Sequence, residues 1–155
     1  MESSKKAIFI KDWILNYVNS MPKKAESLVI GISGGIDSSV SSTLSAMTGL
    51  KTIVLSMPIK QKDTQHDLSL RHQEWLKENL KNVQGHTLEL DSLFKTFENT
   101  LNSFGSEHGM ANSRARLRMT TLYQVAAANN GIVVGTGNKV EDFGVGFYTK
   151  YGDGG

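Results

Sequence analysis

The chain has 155 residues, of which 39% are hydrophobic and 21% charged, so we expect one domain with a packed core and exclude a disordered polypeptide. Its 17 basic and 15 acidic residues leave a net charge of +2, which is too balanced for a nucleic-acid or membrane-surface protein. It contains no cysteine, which excludes disulfides and thiolate nucleophiles. Because no apolar run approaches the roughly 18 residues of a membrane span, we expect a cytoplasmic domain.

The first predicted element is an amphipathic helix over residues 5–20. Its apolar residues recur at helical spacing in two adjacent rows. One row consists of Ile10, Ile14 and Val18, and the other of Phe9, Trp13 and Tyr17.

Short apolar runs and helical patterns then alternate along the chain. In chain order, the predicted elements are a strand over 27–32, a helix over 37–47, a strand over 52–57, a loop over 59–67, a helix over 68–80, a strand over 83–90, helices over 91 to about 101 and about 112–129, and a strand over 132–137. In the helix over 37–47, Val40, Leu44 and Met47 follow the helical period. This alternation predicts an α/β fold, with a parallel sheet and helices on both of its faces.

The last residues, YTKYGDGG (148–155), form a polar, glycine-rich run that is typical of a loop inside a domain. We therefore expect a single domain over residues 1–155 that is incomplete at its C-terminus.

The segment GISGGIDSS (31–39) separates the first predicted strand from its helix. Gly34 and Gly35 permit backbone angles and close approaches that a side chain forbids. Serine hydroxyls and the free amides at the start of the helix complete a cradle for a polyanion, of which phosphate is the obvious example.

The residue types in this loop narrow the chemistry. The lysine of the GxxxxGK[ST] loop and the GxGxxG dinucleotide pattern are both absent. Asp37 lies at the mouth of the loop instead, and a carboxylate beside phosphates is favourable when a divalent cation lies between them, which suggests a magnesium ligand. The alternative is a tight turn in which Asp37 and Ser38 only cap the helix.

SGGIDSS resembles the pyrophosphate-binding loop of the ATP pyrophosphatase superfamily, which cleaves ATP between its α- and β-phosphates. Ammonia-dependent NAD synthetases, GMP synthetase, asparagine synthetase and tRNA-thiolating enzymes share this loop, so the loop alone does not choose among them. The resemblance implies a Rossmann-like sheet of the adenine nucleotide alpha hydrolase type. It also implies ATP contacts at Gly31, Ile32, Ser33, Gly34, Gly35, Ile36, Asp37 and Ser38.

NSRARLRM (112–119) resembles the NxxAR.RM signature of bacterial NAD synthetases. Arg114, Arg116 and Arg118 alternate within a predicted helix, and because neighbours on one helix face are three or four residues apart, at most two of them point at one ligand. A solvated helix face suits Arg114. The resemblance implies that Arg116 contacts the substrate deamido-NAD.

GTGNKVEDFGVGFYTKYGDGG (135–155) resembles a further motif of the same family. Because it follows a predicted strand, Thr136 and Glu141 are expected at the carboxyl edge of the sheet. The resemblance implies that Thr136 contacts ATP, that Glu141 is the second Mg²⁺ ligand with Asp37, and that Lys150 contacts deamido-NAD.

The implied reaction converts deamido-NAD, ATP and ammonia to NAD, AMP and pyrophosphate through an adenylated intermediate, with no protein nucleophile. The partners are these small molecules, and the family implies a homodimer. The alternatives are another ATP pyrophosphatase, either GMP synthetase-like or tRNA-modifying, and a non-catalytic ATP-binding domain.

Overall fold

The computed structural model describes residues 2–60, 62–146 and 148–152. Helices and strands alternate along these residues. In chain order they are α1 Ser3–Ser20, β1 Ser27–Gly31, α2 Ile36–Met47, β2 Lys51–Ser56, α3 Asp63–Asn79, β3 Val83–Thr87, α4 Asp91–Thr100, a short 3₁₀ helix Asn102–Phe104, α5 Glu107–Ala128, β4 Gly131–Val133 and a π-helix Val140–Val145. In this part of the chain, no helix is both long and apolar enough to cross a membrane.

The strands form one parallel sheet in the order β3-β2-β1-β4, which confirms the predicted parallel α/β architecture. The chain builds outwards from β1 through β2 to β3 and then crosses back to place β4 on the other side of β1. Strand order therefore reverses between β1 and β4. In open α/β sheets, the carboxyl ends of the strands at such a reversal border the ligand-binding crevice.

Helices cover each face of the sheet, which explains why the two central strands, β1 and β2, contain continuous apolar runs. On one face, Val29 of β1 and Ile53 and Leu55 of β2 pack with Phe94 of α4 and Leu122 of α5. On the opposite face, Ile30 and Val54 pack with Ala46 of α2 and Leu76 of α3. These alternating side chains form the core.

Helix α1 covers the sheet with only part of its predicted apolar surface. Val18 is buried with Leu28 of β1, and Ile14 packs against this cluster. The second predicted row remains exposed, with Phe9 64%, Trp13 59% and Tyr17 52% accessible. Helical spacing identified this row as apolar, but apolar spacing does not determine whether a partner covers the row.

Helix α2 buries serine and alanine instead of its larger apolar residues. Its buried residues are Ser38, Ser42, Ser45 and Ala46, whereas Val40 and Met47 are exposed. The hydroxyls of Ser42 and Ser45 donate to the carbonyls of Ser39 and Ser41, at 3.1 and 2.8 Å, so their burial leaves no donor unsatisfied. Small side chains let α2 approach the sheet closely, and the row at 40, 44 and 47 is therefore not the core face.

The predicted loop over 59–67 is wrong in its second half, because α3 begins at Asp63. The first turns of α3 are polar and mostly exposed, so they carry no hydrophobic period. Helix α5 begins at Glu107, five residues before its predicted start, where Ser106 Oγ accepts a hydrogen bond from the Gly109 amide at 2.9 Å. The predicted strands over 83–90 and 132–137 end earlier, at Thr87 and Val133.

Candidate functional site

The loop after β1 has a backbone conformation at Gly34 that favours glycine. Its φ is +90°, in the left-handed region that L side chains disfavour. A Cβ built at Gly34 would also collide with the backbone carbonyl oxygen of Gln65, in the first turn of α3. The loop therefore lies directly against α3, and a side chain at this position would force the two segments apart.

Serine hydroxyls hold this loop in shape from within. Ser38 Oγ accepts from the Ser33 amide at 3.1 Å and donates to the Gly35 carbonyl at 3.2 Å. Ser33 Oγ in turn accepts from the Gly35 amide at 3.3 Å, and Ser39 Oγ donates to the Gly35 carbonyl at 2.9 Å. Since Ser38 is buried, its hydroxyl fixes the loop at the N-terminus of α2, where the helix dipole favours a bound anion.

A cleft of about 840 Å³ lies at the carboxyl edge of the sheet, at the reversal of strand order. The ends of β1, β2 and β4 contribute to it, together with α3, α5 and the π-helix. Residues that the sequence singled out and that line the cleft are Gly31, Ile32, Ser33, Ser38, Thr136 and Glu141. Its volume is within the range of small-molecule sites.

Other predicted site residues do not contribute to the lining of this cleft. Gly34, Gly35, Ile36 and Asp37 belong to the loop but are absent from the lining, and Ile36 is exposed at the start of α2. Arg116 and Lys150 also lie outside the lining. The last three residues of the GDGG motif, 153–155, lie outside the described residues.

Asp37 and Glu141 are linked through Asn138. The side-chain nitrogen of Asn138 donates to Asp37 Oδ2 at 2.9 Å, across a separation of 101 residues. Asn138 Oδ1 accepts from the Glu141 backbone amide, also at 2.9 Å. The first turn of α2 and the start of the π-helix are thus joined by one side chain.

The three arginines of NSRARLRM diverge, as their spacing predicted. The guanidinium of Arg114 lies 5.7 Å from the centre of the Phe94 ring. Arg116 donates through Nε to the Lys150 carbonyl at 3.1 Å and through a terminal nitrogen to Thr149 Oγ1 at 3.0 Å. Arg116 therefore binds the segment that carries Lys150.

Arg118 is a cleft residue that the sequence reasoning did not select. It lines the cleft, and its Nε donates to the Met57 carbonyl at 2.9 Å. Burial lowers the pKa of Arg118, and repulsion from Arg114 acts in the same direction while Asp91 opposes it. Among the described residues, no carboxylate lies within ion-pair distance of Arg118, so its positive charge is available to an anion in the cleft.

A signal for Arg118 was present in the sequence. Leu122 and Ala126, the buried residues of α5, lie four and eight residues after Arg118. Residues four apart share a helix face, so the face of α5 that packs on the sheet includes Arg118 one turn before the core begins.

The segment over 148–152 packs against the middle of α5, at Ala115 and Arg116. Thr149 is buried, and a Cβ built at Gly152 would lie 3.0 Å from the Ala115 Cβ. The exposed Lys150 has its Nζ 4.9 Å from the centre of the Tyr151 ring. Arg116 and Gly152 thereby keep the Lys150 segment against α5.

Helix α3 contacts α2 through the side chain of His72. Ser42 Oγ and His72 Nε2 lie 2.9 Å apart. Burial lowers the pKa of His72, and a hydrogen bond with the Ser39 backbone partly offsets this effect. The neutral imidazole therefore belongs to the folded contact between the two helices.

A parallel sheet with a glycine- and serine-rich loop beneath a cleft at the strand-order reversal defines a nucleotide-binding α/β protein. The chain matches the family described as NAD synthase over residues 7–155. It belongs to the NAD synthase family, as its motifs indicated.

This chain is similar to known synthetases both in sequence and in structure. The chain is 38% identical to the NH₃-dependent NAD⁺ synthetase of Mesoplasma florum, with 93% of this chain and 59% of the relative covered. The structure of NMN synthetase from Francisella tularensis matches with a TM-score of 0.87 and 33% identity, over 99% of this chain and 61% of that one. NH₃-dependent NAD synthetase from Campylobacter jejuni, in complex with nitrate, matches with a TM-score of 0.84 and 30% identity, over 99% and 64%.

These structural neighbours confirm the predicted adenine nucleotide alpha hydrolase-like fold. The chain spans little more than half the length of the curated relatives that it matches, 59% and 52% for those of Mesoplasma florum and Sulfurisphaera tokodaii.

Proposed function

We propose that this chain is part of a ligase that forms NAD from deamido-NAD and ammonia, with ATP converted to AMP and pyrophosphate. The observation that carries the proposal is the hydrogen bond between Asn138 and Asp37. This bond joins the GTGN motif (135–138) to the loop over 31–39, and both segments contribute residues to the cleft. Family membership and curated relatives named NH₃-dependent NAD⁺ synthetases support the same reaction.

The proposed reaction has two steps. The nicotinate carboxylate of deamido-NAD attacks the α-phosphorus of ATP, so that an acyl-adenylate forms and pyrophosphate leaves. Ammonia then attacks the activated carbonyl carbon, loses a proton and displaces AMP, which leaves the amide. Both steps bring anions together, and the protein accelerates them by alignment and by screening of negative charge.

The loop residues have a defined part in this proposal. Backbone amides at the start of α2 and the hydroxyl of Ser33 bind the β- and γ-phosphates, and Thr136 contacts ATP from the end of β4. The contribution of Ser38 is internal, because its buried hydroxyl holds the loop that presents those amides. Glycine at position 34 keeps the loop against α3.

Arg116 and Lys150 are proposed to bind deamido-NAD. Their proximity supports this assignment, since Arg116 donates to the backbone carbonyl of Lys150. Arg116 already uses its Nε and one terminal nitrogen within the protein. It therefore both orients the Lys150 segment and retains a terminal nitrogen for the substrate.

The donor set at Asp37 and Glu141 fits Mg²⁺. The ion prefers carboxylate oxygens and is commonly held by one or two carboxylates together with substrate phosphates. Among the described residues, Asp37 makes its one hydrogen bond through Oδ2, which leaves Oδ1 for a cation. No cluster of three acidic or histidine side chains that could hold a metal unaided occurs in this part of the chain. When bound with ATP, Mg²⁺ would neutralise phosphate charge.

A mononucleotide substrate is the second candidate. The structure of an NMN synthetase matches this chain with a TM-score of 0.87, and amidation of nicotinate mononucleotide is the same chemistry on a smaller substrate. Another ATP pyrophosphatase or a non-catalytic ATP-binding domain is not favoured by the family match.

One assay separates these functions. The chain is incubated with ATP, Mg²⁺ and ammonium, and with either deamido-NAD or nicotinate mononucleotide, and AMP and the amidated product are quantified. The proposal expects AMP and NAD in equal amounts from deamido-NAD. If an amide product forms with nicotinate mononucleotide and not with deamido-NAD, the second candidate is established. If AMP forms with neither substrate, both functions are refuted for this chain. A homodimer and a cytoplasmic location stay predictions, which sedimentation and fractionation test.

A further inference from the structure

Asn138 uses both ends of its side-chain amide. Its nitrogen donates to Asp37 Oδ2 and its oxygen accepts from the Glu141 amide. The orientation of the amide follows from this chemistry, because the reversed amide would place oxygen against a carboxylate and a donor against an N–H group. Neither end can be exchanged without loss of both bonds.

The two bonds join segments that carry the proposed metal ligands. Asp37 lies in the first turn of α2, and Glu141 lies in the π-helix that follows β4. The bond to the Glu141 amide caps the start of the π-helix that carries Glu141. The bond to Asp37 holds the start of this π-helix against the loop over 31–39. It also occupies one carboxylate oxygen of Asp37, so that the other oxygen is oriented.

We infer that Asn138 is a positioning residue for the divalent cation, since it holds Asp37 and the Glu141 segment at a fixed separation before the cation arrives. This inference rests on the proposed function, which supplies the cation. Without the bridge, two carboxylate-bearing segments would have to be brought together against their own repulsion. Loss of hydrogen-bond partners behind metal ligands typically weakens metal binding by about tenfold to a hundredfold.

Two variants separate positioning from helix capping. Asn138→Ser keeps a short acceptor that still reaches the amide three residues on, as Ser106 does for Gly109 in this chain, but it is too short to bridge to Asp37. Asn138→Leu keeps the branched shape of the side chain and removes both bonds. Asn102→Ser is the matched control, because Asn102 is exposed in the 3₁₀ helix and lies outside the cleft.

The binding of Mn²⁺, used as the probe for the divalent site, is measured by electron paramagnetic resonance with the 155-residue chain and α,β-methylene-ATP, which resists cleavage. Thermal unfolding is recorded in parallel. We expect Asn138→Ser and Asn138→Leu to weaken Mn²⁺ binding by about tenfold to a hundredfold, with unfolding of Asn138→Ser and Asn102→Ser close to that of the wild type. Wild-type affinity in Asn138→Ser would overturn the inference and identify Asn138 as a helix cap.

Asp37→Asn distinguishes failure of this inference from failure of the proposed metal site. If Asp37→Asn abolishes Mn²⁺ binding while the Asn138 variants keep it, only the positioning role is wrong. If Asp37→Asn binds Mn²⁺ as the wild type does, or if the wild type binds none, the proposed metal site is wrong and the inference falls with it.

Discussion

Replacement of Gly34 by alanine tests the structural basis of the loop. Its φ of +90° costs an L residue about 1–2 kcal/mol. The added Cβ also collides with the Gln65 carbonyl oxygen, and forced overpacking costs about 1–3 kcal/mol more. We therefore expect Gly34→Ala to lower the free energy of unfolding by about 2–5 kcal/mol.

Two other glycines serve as controls, one with the backbone cost alone and one with neither cost. Gly49 has a φ of +81° and no atom within 4 Å of a built Cβ, so Gly49→Ala carries the backbone cost alone, about 1–2 kcal/mol. Gly35 has a φ of −84°, and its nearest neighbour is Ser33 Oγ at 3.4 Å. Gly35→Ala loses a favoured helix cap and gains from the stiffer unfolded chain, and we expect a net change within about 1 kcal/mol.

Urea unfolding followed by circular dichroism measures these differences, and isothermal titration with ATP measures the consequence for binding. Gly34→Ala should lose both stability and ATP affinity. Gly35→Ala should keep its stability and lose ATP affinity, because its methyl group lies beside the hydroxyl of Ser33. If Gly34→Ala were no less stable than Gly49→Ala, the collision with the Gln65 carbonyl oxygen would carry no energetic cost, and the reasoning would be refuted.

Three further changes follow from single contacts. Arg118→Met should weaken ATP binding about tenfold or more, since a hydrogen bond to a charged group contributes at least about 1.5 kcal/mol; unchanged affinity in calorimetry would contradict a role for its charge. Because the pKa of His72 is lowered in the folded state, the unfolded chain takes up the proton first as pH falls below about 6.5. Stability should decline there, and His72→Gln should flatten the decline in urea titrations, with the exposed His108→Gln as the matched control. Gly85→Ala should cost about 1–3 kcal/mol, because its Cβ would lie 2.6 Å from Gln73 Cγ; a thermal midpoint equal to that of the wild type would show that Gln73 has room to move.

The local elements of the fold were predictable wherever the hydrophobic pattern was dense. The strands over 27–32 and 52–57 are almost wholly apolar and were identified to within one residue. Helix α4 was also predicted with nearly its observed bounds. Where a helix begins with polar residues, as α3 does at Asp63, the pattern contains no period and the start was missed.

The candidate site was predictable in its motifs and not in its contacts. The loop over 31–39 and the GTGN motif could be predicted from the sequence, since glycine, serine and aspartate between a buried strand and a helix are typical of a phosphate-binding loop. The pattern gave no reason to select Asn138, whose role depends on Asp37 lying 101 residues away in sequence. Arg118 was not predicted, because the family resemblance assigned the substrate contact in this motif to Arg116.

The sequence by itself determined the order of helices and strands, the parallel sheet and the family, because hydrophobic period and short motifs are local properties of the chain. Only the tertiary structure decided which surfaces are covered and which polar groups meet. The serine face of α2, the exposed row on α1 and the attachment of Arg116 to the 149–150 segment all depend on how distant segments pack. Packing is decided by the shape and pairing of side chains in space, and the spacing of residues along the chain does not record it.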